Sequence, residues 1–242
     1  MTPLLEVTGL SKSFGVKVID DLSVSVAAGD ALGIVGPNGA GKTTMLNLVA
    51  GDLAPDQGTV RYRGHDITEH SPERRCRAGI SRTAQIPRPF ERMTVFENVL
   101  IGACFGGRHL LSEANAVPLV TEALARTGLI DDANVAAGSL PLLQRKRLEL
   151  ARALATQPDI LLLDEIAGGL TEAEVHELVA TIKAIHADGV TLVWIEHIVH
   201  ALLAVVDRIM AMSFGRKIAE GDPAEVMNSR EVQEVYLGME PG

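Results

Sequence analysis

The chain has 242 residues, 47% hydrophobic and 22% charged, so it can bury a sizeable core and is not a disordered segment. A net charge of −9 argues against nucleic acid as the main partner, because phosphate backbones need clustered positive charge. No run of about 18 apolar residues occurs, which excludes a membrane-spanning helix.

Two cysteines, Cys76 and Cys104, are too few and too far apart for a disulfide framework or a zinc site. The opening MTPLLEVTGLSKSF lacks a basic region followed by an apolar block, so the default expectation is a cytosolic protein. In chain order, LSVSV (22–26) alternates as a half-buried strand does, and ALGIVG (31–36) is a short apolar strand ending in glycine. KTTMLNLVAG (42–51) is predicted helical with Gly51 as its stop, and TVRYRG (59–64) reads as an edge or antiparallel strand. Beyond residue 88 helices dominate: one opened by the Thr94/Glu97 capping box, one over 113–127 closed by Gly128, and one over about 141–155. DILLLD (159–164) is a buried strand, and Thr171 with Glu174 opens a helix that Gly189 ends. VTLVWIE (190–196) and RIMAMS (208–213) are further strands, and Asp222, Pro223 and Glu225 start a short helical tail. The alternation of strands and helices predicts an α/β fold with a largely parallel sheet and a helical insertion at about 88–154.

Two segments carry chemistry. GPNGAGKTT (36–44) has the phosphate-loop pattern, with Gly36, Gly41, Lys42 and Thr43 in the fixed places and Asn38, Gly39 and Thr44 completing the segment. Its glycines let successive N–H groups face phosphate oxygens, and the helix that follows adds its positive end. Lys42 is expected to reach the β- and γ-phosphates and the Thr43 hydroxyl to bind Mg²⁺. DILLLDE then ends an apolar strand in two acids, with Asp164 expected near the metal and Glu165 near an attacking water. Either segment alone has a bland explanation, a glycine-rich turn or a helix cap. Together, in this order, they describe a nucleotide site.

On these motifs the chain resembles the nucleotide-binding subunit of an ATP-binding cassette (ABC) transporter over nearly its whole length. Gln85 in RTAQIPRPFERMTVFENV lies where the family has its Q-loop glutamine, and His197 in WIEHIVHAL where it has its switch histidine. Phe14 lies where the family places an aromatic ring that stacks on adenine. The resemblance implies a P-loop NTPase (RecA-like) α/β core with a parallel sheet, an antiparallel β part near the N-terminus and an inserted α-helical subdomain. One nucleotide-binding domain would cover 1–242, with the subdomain at about 88–154 and a tail at about 222–242. It implies ATP and Mg²⁺ as cofactors, Glu165, His197 and Gln85 in catalysis, and Thr43, Gln85 and Asp164 as metal ligands. GISRTAQIPRPFERMTVFENVLIG and AEGDPAEVMNSREVQEVYLG resemble the branched-chain amino acid importer ATPases, and similar tails occur in lipopolysaccharide exporters and urea or amide importers. The implied partners are a second cassette subunit, two transmembrane permease subunits and, indirectly, an extracytoplasmic solute-binding protein. The implied location is peripheral, on the inner face of the cell membrane.

The family signature, LSGGQ or something like LSYGQ in this branch, completes the partner's ATP site across a dimer interface. Here it reads Leu140, Pro141, Leu142, Leu143, Gln144: the ends are kept and the middle is replaced. Proline suits a first helical turn, so the helix is expected to survive while the hydroxyl and the close glycine approach are lost. One lost hydrogen bond to a charged group costs about 1.5–3 kcal/mol, and each ~1.4 kcal/mol is tenfold in rate. A rate penalty of roughly ten- to a hundredfold follows. The family's proline after the catalytic glutamate is Ile166 here, and its D-loop Asp or Asn is Thr171. Residues serving the chain's own ATP are intact, whereas those acting across the interface are altered. This asymmetry favours a heterodimer over a homodimer. Arg74, Arg75, Arg77, Arg82, Arg88 and Arg92 cluster around Gln85, and part of that cluster is expected to dock the membrane subunit.

Overall fold

The structure, a computed structural model, describes residues 3–237. In chain order it contains β1 (Leu5–Phe14), β2 (Val16–Val26), β3 (Ala31–Val35), α1 (Lys42–Ala50), β4 (Gln57–Tyr62) and β5 (His65–Asp66). Then come α2 (Pro72–Ala78), β6 (Ile80–Arg82), α3 (Val95–Phe105), α4 (Glu113–Arg126), α5 (Leu142–Leu154), β7 (Ile160–Asp164) and α6 (Glu172–Ala187). The chain finishes with β8 (Thr191–Ile195), α7 (Val199–Leu203), β9 (Arg208–Ser213), β10 (Arg216–Gly221), α8 (Pro223–Asn228) and α9 (Arg230–Leu237). Two compact units divide these elements: one runs to Pro72 and resumes at Thr191, and the other is Glu73–Val190.

In the first unit β3 is central, parallel to β8 on one side and to β9 on the other, while β10 returns antiparallel on β9. Every residue of β3 and β8 is buried, which is why ALGIV and TLVWI are continuously apolar rather than alternating. A separate antiparallel sheet has the order β2-β1-β4-β5. Its β2 buries Ile19, Leu22, Val24 and Val26, the alternation read in LSVSV. Arg63 and Gly64, both at positive φ, turn β4 into β5.

In the second unit β6 and β7 run parallel, and β7 is buried throughout. Helices α3 and α6 each open with a complete capping box, Thr94 with Glu97 and Thr171 with Glu174. Helix α4 runs on through Pro118 to the Thr127–Gly128 cap expected for it.

Several readings need correction. β4 is antiparallel but not an edge, because β1 and β5 flank it. Pro141 is not inside the first turn of α5; it is the N-cap, with φ −60 and ψ 167. β1 went unread because Gly9, at φ 61, breaks its register and its alternation. The tail expected over 222–242 contains α8 and α9, and residues 238–242 lie outside the described residues. The arginine cluster is not one surface: Arg75 is buried and Arg82 turns inward, while Arg74, Arg77, Arg88 and Arg92 are exposed.

Candidate functional site

The first unit holds the phosphate loop between the buried strand β3 and helix α1. Two glycines have no substitute there. A Cβ on Gly36 would lie 2.2 Å from the Met212 carbonyl oxygen, and one on Gly41 would lie 2.7 Å from the Val18 carbonyl oxygen. Lys42 is buried, and its Nζ donates to the Gly36 and Pro37 carbonyls at 2.7 and 3.0 Å, which keeps the ammonium over the loop. Asn38 and Gly39 are exposed at the crown, and Thr43 and Thr44 are half-buried in the first turn of α1. The Gly215 N–H reaches the Ala40 carbonyl at 3.1 Å, so the β9–β10 turn braces the loop from behind.

Two further expected residues belong to this unit. Phe14 is exposed at the β1–β2 turn, where Asp56 fixes its neighbours: Lys12 Nζ bonds Asp56 at 2.8 Å and the Ser13 N–H bonds it at 2.7 Å. Lys12 Nζ also stands 5.6 Å from the centre of the Phe14 ring. The Lys12 and Ser13 bonds hold the Asp56 carboxyl below the usual carboxylate range. A lowered acid keeps its bonds above its unfolded pKa and loses them only as pH falls through the folded value, so the turn stays held at neutral pH. His197 is exposed just after β8, and the buried Glu196 carboxylate accepts from the His197 and Ile198 N–H groups at 2.9 and 3.4 Å. The sequence reading missed Asp56, which is distant in the chain, and Glu196, whose adjacency in WIEH was its only signal.

The second unit holds the carboxylates. Asp164, the last residue of β7, is fully buried, and Arg82 Nη2 of β6 donates to its Oδ2 at 2.9 Å. Glu165 follows at φ 49, in the left-handed region that non-glycine residues occupy at a cost of roughly 1–2 kcal/mol. Such strain is stored where a side chain must be aimed. Gln85 Nε2 donates to Glu165 Oε2 at 2.5 Å, so two residues read separately from the sequence meet.

The LPLLQ segment starts α5. Leu140 and Leu143 are buried, Pro141 and Leu142 are exposed and Gln144 is half-buried. Pro141 supplies no side-chain cap, so no side chain there engages the first-turn N–H groups. Arg145 ties the preceding turn to the helix, donating to the Leu140 and Gly138 carbonyls, both at 2.7 Å. A Cβ on Gly169 would sit 3.2 Å from Leu142 Cδ2, so Leu142 lies against the IAGGLT segment.

These residues suit a magnesium nucleotide. The phosphate loop admits no side chain at Gly36 or Gly41, and its basic residue is pinned over it. The proposed metal ligands are all oxygen donors, as Mg²⁺ requires. Among the described residues no group of three or more His, Cys, Asp or Glu could hold a metal ion by itself.

A glycine-rich loop between a buried strand and a helix, and a buried strand ending in Asp-Glu, are the parts of a P-loop nucleoside triphosphatase. The family described as ABC transporter matches residues 19–168, and that described as branched-chain amino acid ATP-binding cassette transporter matches residues 216–238. The chain belongs to the ABC transporter family and is an ABC-type ATPase. It is 34% identical to the high-affinity branched-chain amino acid transport ATP-binding protein BraF of Pseudomonas aeruginosa, over 98% of both chains. The same identity and coverage relate it to LivG of Salmonella typhimurium, which carries the same descriptive name. The solved ADP conformation of an ATP-binding cassette of an ABC transporter superposes with a TM-score of 0.89 at 33% identity, covering 98% of this chain and 100% of that one. Among the described residues no helix is long and apolar enough to cross a membrane.

Proposed function

We propose that the chain binds Mg-ATP and hydrolyses it to drive import of branched-chain amino acids or related small solutes. The observation that carries this reading is the Gln85–Glu165 contact beside the buried Asp164. When bound, a magnesium nucleotide would supply an electrophilic phosphorus whose charge the ion would spread. Lys42 and the loop amides bind the β- and γ-phosphates, with Asn38, Gly39 and Thr44 lining them. Thr43, Asp164 and Gln85 would hold the metal, Phe14 would stack on the adenine, Glu165 would orient the water and His197 would act as the switch histidine. The names of the relatives support the solute class. The chain acts on the inner face of the membrane with a second cassette subunit, a heterodimer in preference to a homodimer, on two permease subunits fed by an extracytoplasmic solute-binding protein.

The test is ATP hydrolysis by the chain alone and in vesicles with its partner cassette and permeases. Hydrolysis stimulated by the loaded solute-binding protein together with leucine uptake is the expected result. Tight Mg-ATP binding with no hydrolysis in the full assembly would instead make the chain a regulatory nucleotide-binding half, a reading that LPLLQ weighs for and the intact Glu165 and His197 weigh against.

The Phe14 turn gives a separate prediction. Asp56→Ala removes the anchor of Lys12 and Ser13, and the stacking and cation–π contribution it steadies is about 0.5–1 kcal/mol. A roughly two- to fivefold weaker ATP affinity with kcat unchanged is expected from binding isotherms and initial rates. Unaltered affinity would show that Phe14 needs no such support.

A further inference from the structure

Besides Arg75, the mechanism proposed above leaves two buried charges of the second unit unused: Lys146, 5% exposed, and Glu149, 9% exposed. Buried ions are costly unless they are bonded in place. Both are bonded, with Arg152, to the same loop. Lys146 Nζ donates to the Gln85 carbonyl at 3.0 Å, Glu149 Oε1 accepts from the Arg88 N–H at 3.1 Å, and Arg152 Nη1 donates to the Arg88 carbonyl at 3.2 Å. Arg152 also pairs with Glu149 at 3.0 Å and stands 5.3 Å from the centre of the Phe90 ring. The three residues lie at successive three-residue steps of α5, and these three hydrogen bonds to the loop end on its main chain. At the far end of the loop the fully buried Asn98 of α3 takes over, accepting from the Phe90 N–H at 2.8 Å and donating to the Phe90 carbonyl at 3.1 Å.

From this geometry we infer that Lys146, Glu149 and Arg152 form a row of positioning residues that sets Gln85 against Glu165. Helix α5 begins at LPLLQ, and Arg145 ties the turn before it to its first residues. A displacement at Leu140–Gln144 is therefore carried along a rigid helix to the loop backbone at Gln85 and Arg88, and from Gln85 to Glu165. The segment that serves the partner's nucleotide thereby governs the carboxylate that serves the chain's own. The row is fixed to the loop by main-chain bonds, so loop side chains such as Ile86 and Arg88 are free to vary without uncoupling it. This inference rests on the roles proposed for Gln85 and Glu165 in hydrolysis.

The test uses the full chain with two readouts. In amide hydrogen exchange without nucleotide, Glu149→Leu and Lys146→Met are expected to speed exchange over residues 85–90 about tenfold, with the rest of the second unit unchanged. In the transport assembly, Lys146→Met is expected to lower kcat on the order of tenfold at constant KM, and Lys146→Arg, which keeps a donor, to recover most of it. Against a Gln85→Ala background, Lys146→Met is expected to cost nothing further, because the row acts through Gln85. Unchanged exchange over 85–90, or fully additive losses with Gln85→Ala, would overturn the inference. Should Lys146→Met not fold, Arg152→Gln at the more exposed end of the row carries both readouts. Normal exchange effects in a chain that never hydrolyses ATP would leave the row standing and remove the proposed ATPase role of Gln85 and Glu165 instead.

Discussion

Glu165→Gln is expected to lower ATP turnover by roughly a hundred- to ten-thousandfold, the contribution of a positioned general base or water-orienting carboxylate, while Mg-ATP still binds. The side chain is aimed by its backbone at φ 49 and held by Gln85 at 2.5 Å. Glutamine keeps the length and the rotamer and loses only the charge. Single-turnover hydrolysis beside equilibrium nucleotide binding checks both halves of the expectation. Turnover within a few-fold of the parent chain would move the base elsewhere. A companion substitution separates strain from chemistry. Glu165→Gly abolishes turnover equally, yet it relieves the left-handed backbone and is expected to raise thermal stability by about 0.5–1 kcal/mol.

Restoring the signature is expected to have the second largest effect, in the opposite direction. Pro141→Ser together with Leu142→Gly returns a hydroxyl and a close backbone approach to the start of α5. Turnover at the site this segment completes is expected to rise about ten- to a hundredfold. Serine also caps the helix where proline offers no side-chain bond, a gain of about 0.5–2 kcal/mol that offsets the glycine placed in the first turn. The full reversion is a different matter. Leu143 is 3% exposed, and removing a buried leucine costs about 2–5 kcal/mol before the helix cost of glycine is added. Leu143 is thus part of the core of the second unit, and only Pro141 and Leu142 are free to revert. ATPase rates and melting curves of the double and triple variants decide this; no gain from the double variant would make LPLLQ a tolerated spelling of the signature.

Much of the fold was legible where local chemistry is strong. The capping boxes at Thr94 and Thr171, the Asp222–Pro223 start of α8, the Gly51 stop of α1 and the span of β9 all stand where their residue types put them. What went unread lacked such signals. β10 is the charged run RKIAEG, paired on β9, and β5 is two exposed polar residues. The candidate site divides in the same way. The loop and the acidic strand end are contiguous in sequence, so spacing reveals them. Arg82 on Asp164, Asp56 on Ser13 and Lys146 on Gln85 join residues far apart in the chain, and only folding brings them into contact.

The order in which the strands pair has a consequence for how the protein is made. Ala31 of β3 pairs with Leu192, and Leu32 with Arg208, so the strand that launches the phosphate loop has neither parallel neighbour until the chain returns from its second unit. At a synthesis rate of about 5–20 residues per second, β3 waits roughly ten to thirty seconds for β8. During that interval ALGIV is an unpaired apolar strand, the kind of segment that seeks another edge. Residues 73–190, by contrast, form one continuous stretch that is finished first. The newborn chain thus completes the half that carries Asp164 and Glu165 while the phosphate loop still lacks its flanking strands, and that wait is when a ribosome-bound chain most needs protection from its neighbours.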